Sequence, residues 1–404
     1  MAEGPRAAAF LLVAILTAGC GAAEPEAVGV PTGSQRAIID MRGVEVRVPV
    51  PLTRVATVDD GFVESVMTRL GVIETLVAVG SSSQQRTWPY PRHDGSPQST
   101  RPGDGMGTMR ALHPWIAGLP CASRGSGAAV NYETIAAARP EVVILRVGDC
   151  TLGTSTEVVD RTTAVFQAAG IPVVLLRSPA DYRGRGLQTL RDEILVLGRL
   201  FGKEVEAAAL AGELDEAERQ IASRVASVPK PARPRALYLG LSSTARDSGG
   251  SAYVWGTGTA ESWMLEHVAG ARNAFQGAGA RVLLNAEQLL ALDPDVIFLP
   301  TSSGYHPPDE LYGAPHYREL RMLRAVRQRR VFPLAWTPMN CARRLEYPID
   351  LLIMAKAVHP GLFADLPAHE WVLRFYQRTY RIGEEQAFGL RRAQWLEWTA
   401  DADF

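Results

Sequence analysis

Aromatic, arginine and histidine side chains are the residues of this sequence best suited to binding a ligand. They lie in predicted loops that follow predicted strands, which is where open α/β sheets bind ligands. Rings supply flat contact area, and a guanidinium group pairs in a bidentate manner with carboxylate, catecholate or phosphate oxygens. Any single member could instead be a structural aromatic or a solvated charge. Together they predict a cleft for a flat or bulky anionic compound, lined by His113, Trp115, Arg146, Tyr253, Trp255, Tyr305, Trp336, Arg343 and Arg344.

Bare metal binding is not predicted. Binding of Zn²⁺ or Mn²⁺ requires three or four converging ligands, whereas the seven histidines show no paired spacing and no His-rich loop. A single axial ligand to haem, from His113 or Tyr305, is an alternative that the sequence leaves open.

Catalysis is not predicted either. The sequence has no Gly-x-Ser-x-Gly elbow, no P-loop and no dinucleotide-binding glycine pattern after a strand. The paired carboxylates Asp59 and Asp60 could serve a hydrolase, but they also suit the cap of a helix that begins at Phe62. We therefore expect a binding protein that is not an enzyme and has no cofactor.

The amino terminus has the pattern of an export signal. An apolar run from Ala7 to Leu16 precedes Thr17-Ala18-Gly19-Cys20, and this run is too short to cross a bilayer as a mature helix. Small residues before a cysteine are typical of a bacterial lipobox, which predicts that residues 1–20 form a signal peptide and that Cys20 carries a lipid. The alternative is a plain secretory signal. A flexible tether is predicted for residues 21–36.

Three cysteines remain after Cys20, an odd number for an oxidising compartment. Cys121 and Cys150 are predicted to pair because both lie in loops of the same predicted lobe, which leaves Cys341 without an assigned role. The sequence cannot establish the geometry of that pair.

Length and charge limit the class of protein. The 404 residues suffice for two or three structural units, and 47% of them are hydrophobic. Lys and Arg number 42 against 43 Asp and Glu, a net charge of -1, which removes the electrostatic reason to expect nucleic-acid binding.

Alternating strands and helices predict two α/β lobes with mainly parallel sheets. A hairpin around Arg42-Gly43 opens an amino-terminal lobe over residues 37–186, which includes a long irregular loop over residues 81–127. An apolar stripe predicts one linking helix over residues 187–228, which should lie across both lobes. The carboxy-terminal lobe is predicted over residues 235–404.

An internal repeat supports two similar lobes. Residues 131–145 align without gaps to residues 285–299, with coincident Asn, Glu, Ala, Pro, Val and Leu. Each copy has a polar cap, a short apolar-faced helix, a proline break and a buried strand. The alternative is convergence, since α/β proteins commonly contain such units.

Together these features resemble the periplasmic binding proteins for iron-siderophores, haem and cobalamin, whose lobes are joined by one long helix. The resemblance spans about residues 38–380. Its carriers, taken in order, are Ile39-Asp40 through Pro49, Leu70-Gly71 through Val79-Gly80, both Asn-x-Glu copies, Ala269-Gly270-Ala-Arg-Asn273, Arg330-Val-Phe-Pro-Leu334 and Ala355-Lys-Ala-Val-His-Pro360.

The resemblance implies a monomeric, lipid-anchored receptor of an ABC importer in the cell envelope. In this family the glutamate of each Asn-x-Glu copy docks onto permease arginines, which points to Glu133 and Glu287. The alternative is a first-turn glutamate that interacts with the helix dipole, worth about 0.5 kcal/mol. An arginine after the strand equivalent to residues 331–334 often contacts ligand in the family, which fits Arg343 or Arg344. The implied ligand is a ferric siderophore, with a corrinoid such as cobalamin, or haem, as alternatives. An anchored sensor or scaffold of the same fold is a further alternative.

Overall fold

The computed structural model describes residues 1, 34–88, 104–123, 129–148, 151–180, 187–241, 250–300, 307–336, 344–400 and 404. The chain divides into residues 1–34 and a compact unit of residues 35–404, and the second unit carries the fold. Cys20 lies outside the described residues, so the signal peptide and lipidation stay predictions. Within the described ranges, no helix is long and apolar enough to cross a membrane.

A hairpin and a parallel sheet form the first lobe. The hairpin pairs β1 (Gln35–Ile39) with β2 (Glu45–Pro49), as predicted. The sheet strands are β3 (Val55–Val58), β4 (Leu76–Ser81), β7 (Cys121–Ser123), β8 (Val142–Val147) and β9 (Val173–Arg177), in the order β7-β4-β3-β8-β9. A short pair, β5 (Thr87–Trp88) and β6 (Gly105–Met106), lies between β4 and β7 in the chain. The helices are α1 (Phe62–Leu70), α2 (Thr108–Leu112), α3 (Tyr132–Ala137) and α4 (Thr156–Ala168).

Both faces of this parallel sheet are buried, which is why its strands are rich in apolar residues. Ile144 of β8 belongs to the same core cluster as Phe62 of α1. The neighbouring Val143 and Leu145 belong to a second cluster with Phe166 of α4. Side chains of a strand alternate between the two faces, so one strand supplies both cores.

The second lobe has a mixed sheet. Its strands are β10 (Arg235–Gly240), β11 (Ala252–Val254), β12 (Arg272–Asn273), β13 (Val282–Leu284), β14 (Val296–Leu299) and β15 (Val331–Pro333). The order is β13-β11-β10-β14-β15, with β10, β14 and β15 parallel, β11 and β13 antiparallel, and β12 paired to β10. Its helices are α7 (Ala260–Trp263), α8 (Ala286–Leu292), α9 (Pro308–Gly313), α10 (Arg324–Arg327), α11 (Tyr347–Val358), α12 (Ala368–Tyr380) and α13 (Glu384–Ala393).

The predicted linking helix is two helices, α5 (Gln188–Phe201) and α6 (Glu204–Val225). Gly202 ends α5 in the left-handed conformation, at φ 64°, which a glycine adopts without steric cost. The apolar stripe continues through this turn, so the sequence pattern concealed the break. Helix α6 contacts α1 and α5 at the first lobe and α11 at the second, so it crosses between them. Helices α12 and α13 of the second lobe also contact α1 and α2 of the first.

The internal repeat is confirmed in the structure. Asn131 and Asn285 cap α3 and α8 through their side-chain oxygens, and the strands that follow, β8 and β14, occupy equivalent places in the two sheets. Arg139 and Asp293, each immediately before the shared proline, both have positive φ.

The predicted loop over residues 81–127 contains more structure than expected. The strands β5, β6 and β7 and the five-residue helix α2 all lie in it. These elements are too short to show a hydrophobic period, which explains why the sequence did not reveal them.

Candidate functional site

The carboxyl ends of the parallel strands carry the polar residues of the candidate site. Asp59 and Asp60 follow β3, and Ser83 follows β4 in the first lobe. Arg344 lies just before α11 in the second lobe. In open α/β sheets this is the edge at which ligands bind.

Asp59 caps helix α1. Its Oδ2 accepts hydrogen bonds from the backbone N–H groups of Gly61 at 2.9 Å and Val63 at 2.8 Å. This is the capping role that the sequence offered as the alternative to a catalytic carboxylate pair.

Asp60 joins the two lobes. Its Oδ2 accepts a hydrogen bond from Nη2 of Arg344 at 2.9 Å, and both side chains are buried. The Ser83 hydroxyl donates to the other carboxylate oxygen. Burial raises the pKa of Asp60 to about 6, although Arg344 acts to lower it. The interaction with Arg344 therefore offsets only part of the free-energy cost of removing the Asp60 carboxylate from water.

Glycines allow the close approach of these groups. Gly61, next to Asp60, has φ 109°, a backbone conformation that other residues rarely adopt. At Gly80 a Cβ would lie 2.2 Å from the backbone N and O of Asp59, so only glycine fits beside the end of β3.

A second buried network also crosses between the lobes. The hydroxyl of Thr108 in α2 donates to Oε1 of Glu346, and Gln394 Nε2 donates to the Thr108 hydroxyl at 2.7 Å. Tyr380 donates to the same Glu346 oxygen at 2.5 Å. These side chains are buried and share hydrogen bonds, so separating the lobes here would break several of them together.

Trp336 follows β15 and lies in a cluster of three indoles. Its ring centroid is 6.1 Å from that of Trp88 and 4.7 Å from that of Trp395. A Cβ at Gly105 would lie 2.8 Å from both Trp336 and Trp395. The sequence prediction included Trp336 and missed the other two, which come from a segment without periodicity and from the carboxy-terminal end of the chain.

Arg146 is fully buried inside the first lobe. Its Nε and Nη2 donate to the two carboxylate oxygens of Glu193 at 2.7 and 3.0 Å, and its guanidinium lies 4.0 Å from the centroid of the Phe62 ring. Nη1 lies 3.6 Å from Oδ1 of Asp59. This differs from the predicted ligand contact: Arg146 supports the carboxyl edge from beneath.

His113 and Trp115 lie away from the carboxyl edge, in contrast to the prediction. His113 Nε2 is 3.0 Å from the hydroxyl of Thr68, near the end of α1, and burial lowers the pKa of His113. The reason is topological. Residues 113–120 lead into β7, which is parallel to β4, so they lie at the amino edge of the sheet.

Tyr253 of β11 and Trp255, which directly follows that strand, have different surroundings. Tyr253 pairs with Gly240 at the carboxyl end of β10, is half-buried, and has the Arg281 guanidinium 5.1 Å from its ring centroid. Trp255 is buried against Tyr238, with ring centroids 5.3 Å apart. Trp255 is therefore a core residue, whereas Tyr253 lies at the predicted edge.

Several predicted residues lie outside the described ranges, namely Tyr305, Arg343, Cys150 and Cys341. The Cys121–Cys150 pair accordingly stays a prediction, and the Cys121 Sγ donates to the Ser123 carbonyl oxygen at 3.0 Å. Within the described ranges, no group of three or more His, Cys, Asp or Glu could hold a metal ion.

Glu133 and Glu287 are exposed in the first turns of α3 and α8. Each lies two residues after the capping asparagine of its repeat, so the two lobes present them at equivalent positions. The prediction that these two glutamates dock onto a permease rests on their equivalent positions in the two lobes.

Two α/β lobes with carboxyl edges joined through Asp60 and Arg344, and with one helix crossing between them, define a bilobed ligand-binding protein. The chain belongs to the periplasmic binding protein family, whose model matches residues 70–335. This confirms the resemblance, and the family acts outside the cytoplasm. No curated protein shows significant sequence similarity to the chain.

Solved structures share the fold. A periplasmic solute-binding protein of Veillonella parvula is 17% identical with a TM-score of 0.69, covering 92% of this chain and 100% of its own. A molybdate-bound periplasmic protein of an ABC transporter from Haemophilus influenzae is 18% identical, with a TM-score of 0.63 and coverage of 86% and 98%. A periplasmic haem-binding protein of Pseudomonas aeruginosa is 22% identical, with a TM-score of 0.55 and coverage of 77% and 94%.

Proposed function

We propose that this chain is the receptor of an ABC importer that captures a metal chelate between its lobes and delivers it to a membrane permease. The carrying observation is the buried contact between Asp60, at the end of β3, and Arg344 of the second lobe. It joins the two lobes at the edge where a ligand of this fold would bind.

Ferric siderophore is the proposed ligand class, with haem or a corrinoid as the alternatives. Similar solved structures bear names that include molybdate, nickel and haem, so ligand chemistry varies widely on this fold. The proposed contacts are Arg344 and Tyr253, with Tyr305 and Arg343 retained from the sequence. Trp336 is fully buried in the indole cluster, so it is proposed as a fluorescent reporter near the cleft and not as a contact. Arg146, Trp255, His113 and Trp115 are not carried forward because of their burial or their position.

We further propose lipidation at Cys20 and docking of the permease by Glu133 and Glu287. A sensor or scaffold of the same fold is the second candidate, favoured only if no permease and ATPase genes adjoin this one. An enzymatic function would require measured turnover of a substrate such as an ester or a glycoside.

The test is tryptophan fluorescence of residues 21–404, titrated with ferric hydroxamate, ferric catecholate, ferric citrate, haemin and cyanocobalamin. We expect saturable quenching by one class at micromolar concentration or below, because Trp336 adjoins the proposed cleft. Trp336→Phe should reduce the quenching amplitude, whereas Trp371→Phe, in α12, serves as the matched control. Absence of binding by every chelate would contradict the proposal.

A further inference from the structure

Asp60 holds the guanidinium of Arg344 in the way that an acidic group of a ligand would. The carboxylate accepts a charge-assisted hydrogen bond at 2.9 Å, and a carboxylate, catecholate or sulfate oxygen would do the same. The partners are 284 residues apart in the chain and belong to opposite lobes.

Stability alone is a weak reason for such a contact. Taking two charges out of water costs several kcal/mol per ion, and a single ion pair offsets that cost only with excellent geometry and further hydrogen bonds. Burial raises the pKa of Asp60 even though Arg344 lies beside it, so the pair leaves part of the cost unmet.

Resting on the proposed receptor function, we propose that Asp60 is an internal counter-ion that an acidic group of the ligand replaces on Arg344. The cleft then selects anionic chelates over neutral ones. Among the alternatives above, this favours ferric carboxylates or catecholates and haem, and it disfavours uncharged corrinoids.

Replacement requires that the displaced carboxylate does not repel the incoming anion. Asp60 achieves this by taking up one proton from solvent as the anion arrives, so one negative charge leaves the cleft when another enters. Without that proton, the Asp60 carboxylate and the incoming anion would repel each other beside the Arg344 guanidinium.

The charged and hydrogen-bonding groups around Asp60 are consistent with proton uptake at this carboxyl group. Of the described residues, those that face it directly or through Asp59 are Arg344, Asp59, Ser81, Ser83, Gln84, Arg146, Glu64 and Glu193. Arg146 is already paired with Glu193, so Arg344 is the cation that acts most strongly on Asp60.

The direction and the size of the pH effect on anion affinity follow from a pKa of about 6 for Asp60. At pH 7.5 about one molecule in thirty carries the protonated carboxyl, and at pH 5 most do, so affinity for a fully ionised anion rises as pH falls through 6. We expect a gain of about thirtyfold from pH 7.5 to pH 5 for wild-type protein.

Calorimetry of the 21–404 protein tests the proposal with four probes: sulfate, whose charge is constant over this pH range, ferric citrate and haemin as anionic chelates, and cyanocobalamin as a neutral one. The variants are Asp60→Asn, Arg344→Gln and the control Asp40→Asn, which makes the same change in another buried aspartate that pairs with an arginine of the first lobe, away from Asp60. At pH 7.5, Asp60→Asn should bind the anionic probes about thirtyfold more tightly and cyanocobalamin no differently. Arg344→Gln should lose anion binding, and Asp40→Asn should bind every probe as wild type does.

Proton uptake supplies a second readout. Binding enthalpies of wild type in buffers of different ionisation enthalpy should report uptake of about one proton per anion at pH 7.5, and none for Asp60→Asn. If Asp60→Asn does not fold, the wild-type sulfate titrations at pH 7.5 and pH 5 test the counter-ion role without it.

The inference is overturned if wild type and Asp60→Asn bind anions with equal affinity, or if neither binds them. It is also overturned if the affinity of wild type for sulfate does not depend on pH. If Asp60→Asn binds the chelates as tightly as wild type does, the counter-ion role is overturned and the proposed receptor function is retained. Tight sulfate binding by Asp60→Asn without chelate binding by any variant supports the counter-ion and removes the chelate receptor.

Discussion

We expect that replacing both Glu133 and Glu287 by alanine abolishes ligand uptake in cells and leaves ligand affinity unchanged. Each glutamate is exposed at the start of its helix and free of the interlobe contacts, so ligand binding does not depend on it. Losing a charged anchor from a docked interface costs about 2 kcal/mol, and two such losses weaken docking about a thousandfold.

Uptake of radiolabelled chelate by a deletion strain that carries each variant is the measurement for docking. The matched control is Glu204→Ala with Glu385→Ala, which removes exposed first-turn glutamates from α6 and α13. Both double variants lose similar helix-dipole energy, about 0.5 kcal/mol per site, so stability alone would affect them alike. Full uptake by the Glu133 and Glu287 variant would remove the docking assignment.

Replacing Glu193 by glutamine lowers the free energy of unfolding by about 3 kcal/mol. The change removes a buried carboxylate that holds Arg146 through two hydrogen bonds, and breaking one partner of a buried pair costs about 3–5 kcal/mol. The lower end applies because Asp59 remains 3.6 Å from the same guanidinium.

Urea unfolding with Glu370→Gln as the control measures this effect. Glu370 and Arg374 form an exposed pair four residues apart on α12, and such pairs contribute about 0.5 kcal/mol or less. Equal losses in the two variants would contradict the assignment of Arg146 to the internal support of the carboxyl edge.

The fold was largely predictable because its signals are long and repeated. The hairpin around Arg42, the two Asn-x-Glu units and the apolar stripe of α5 and α6 each show a clear hydrophobic period. The break at Gly202 was missed because the stripe runs through it. Strand β7 and helix α2 were missed because three and five residues do not show a period.

The site was less predictable because it depends on which edge of the sheet a loop reaches. His113 follows a predicted loop but precedes the unseen strand β7, which places it at the opposite edge. Arg146 lies near the carboxyl end of β8, at the predicted edge, but its side chain points into the core and pairs with Glu193 of α5. Asp60 was visible as half of a carboxylate pair, yet its partner Arg344 is 284 residues away, a distance that sequence spacing cannot bridge.

The most direct measurement of receptor function is ATP hydrolysis by the ABC permease and ATPase that the proposal requires, reconstituted in lipid nanodiscs. We expect that chelate-loaded protein stimulates hydrolysis severalfold, and that ligand-free protein or the Glu133→Ala and Glu287→Ala double variant does not. Chelate binding at micromolar affinity without any stimulation would contradict a receptor that delivers its ligand to an importer, and it would support an anchored sensor instead.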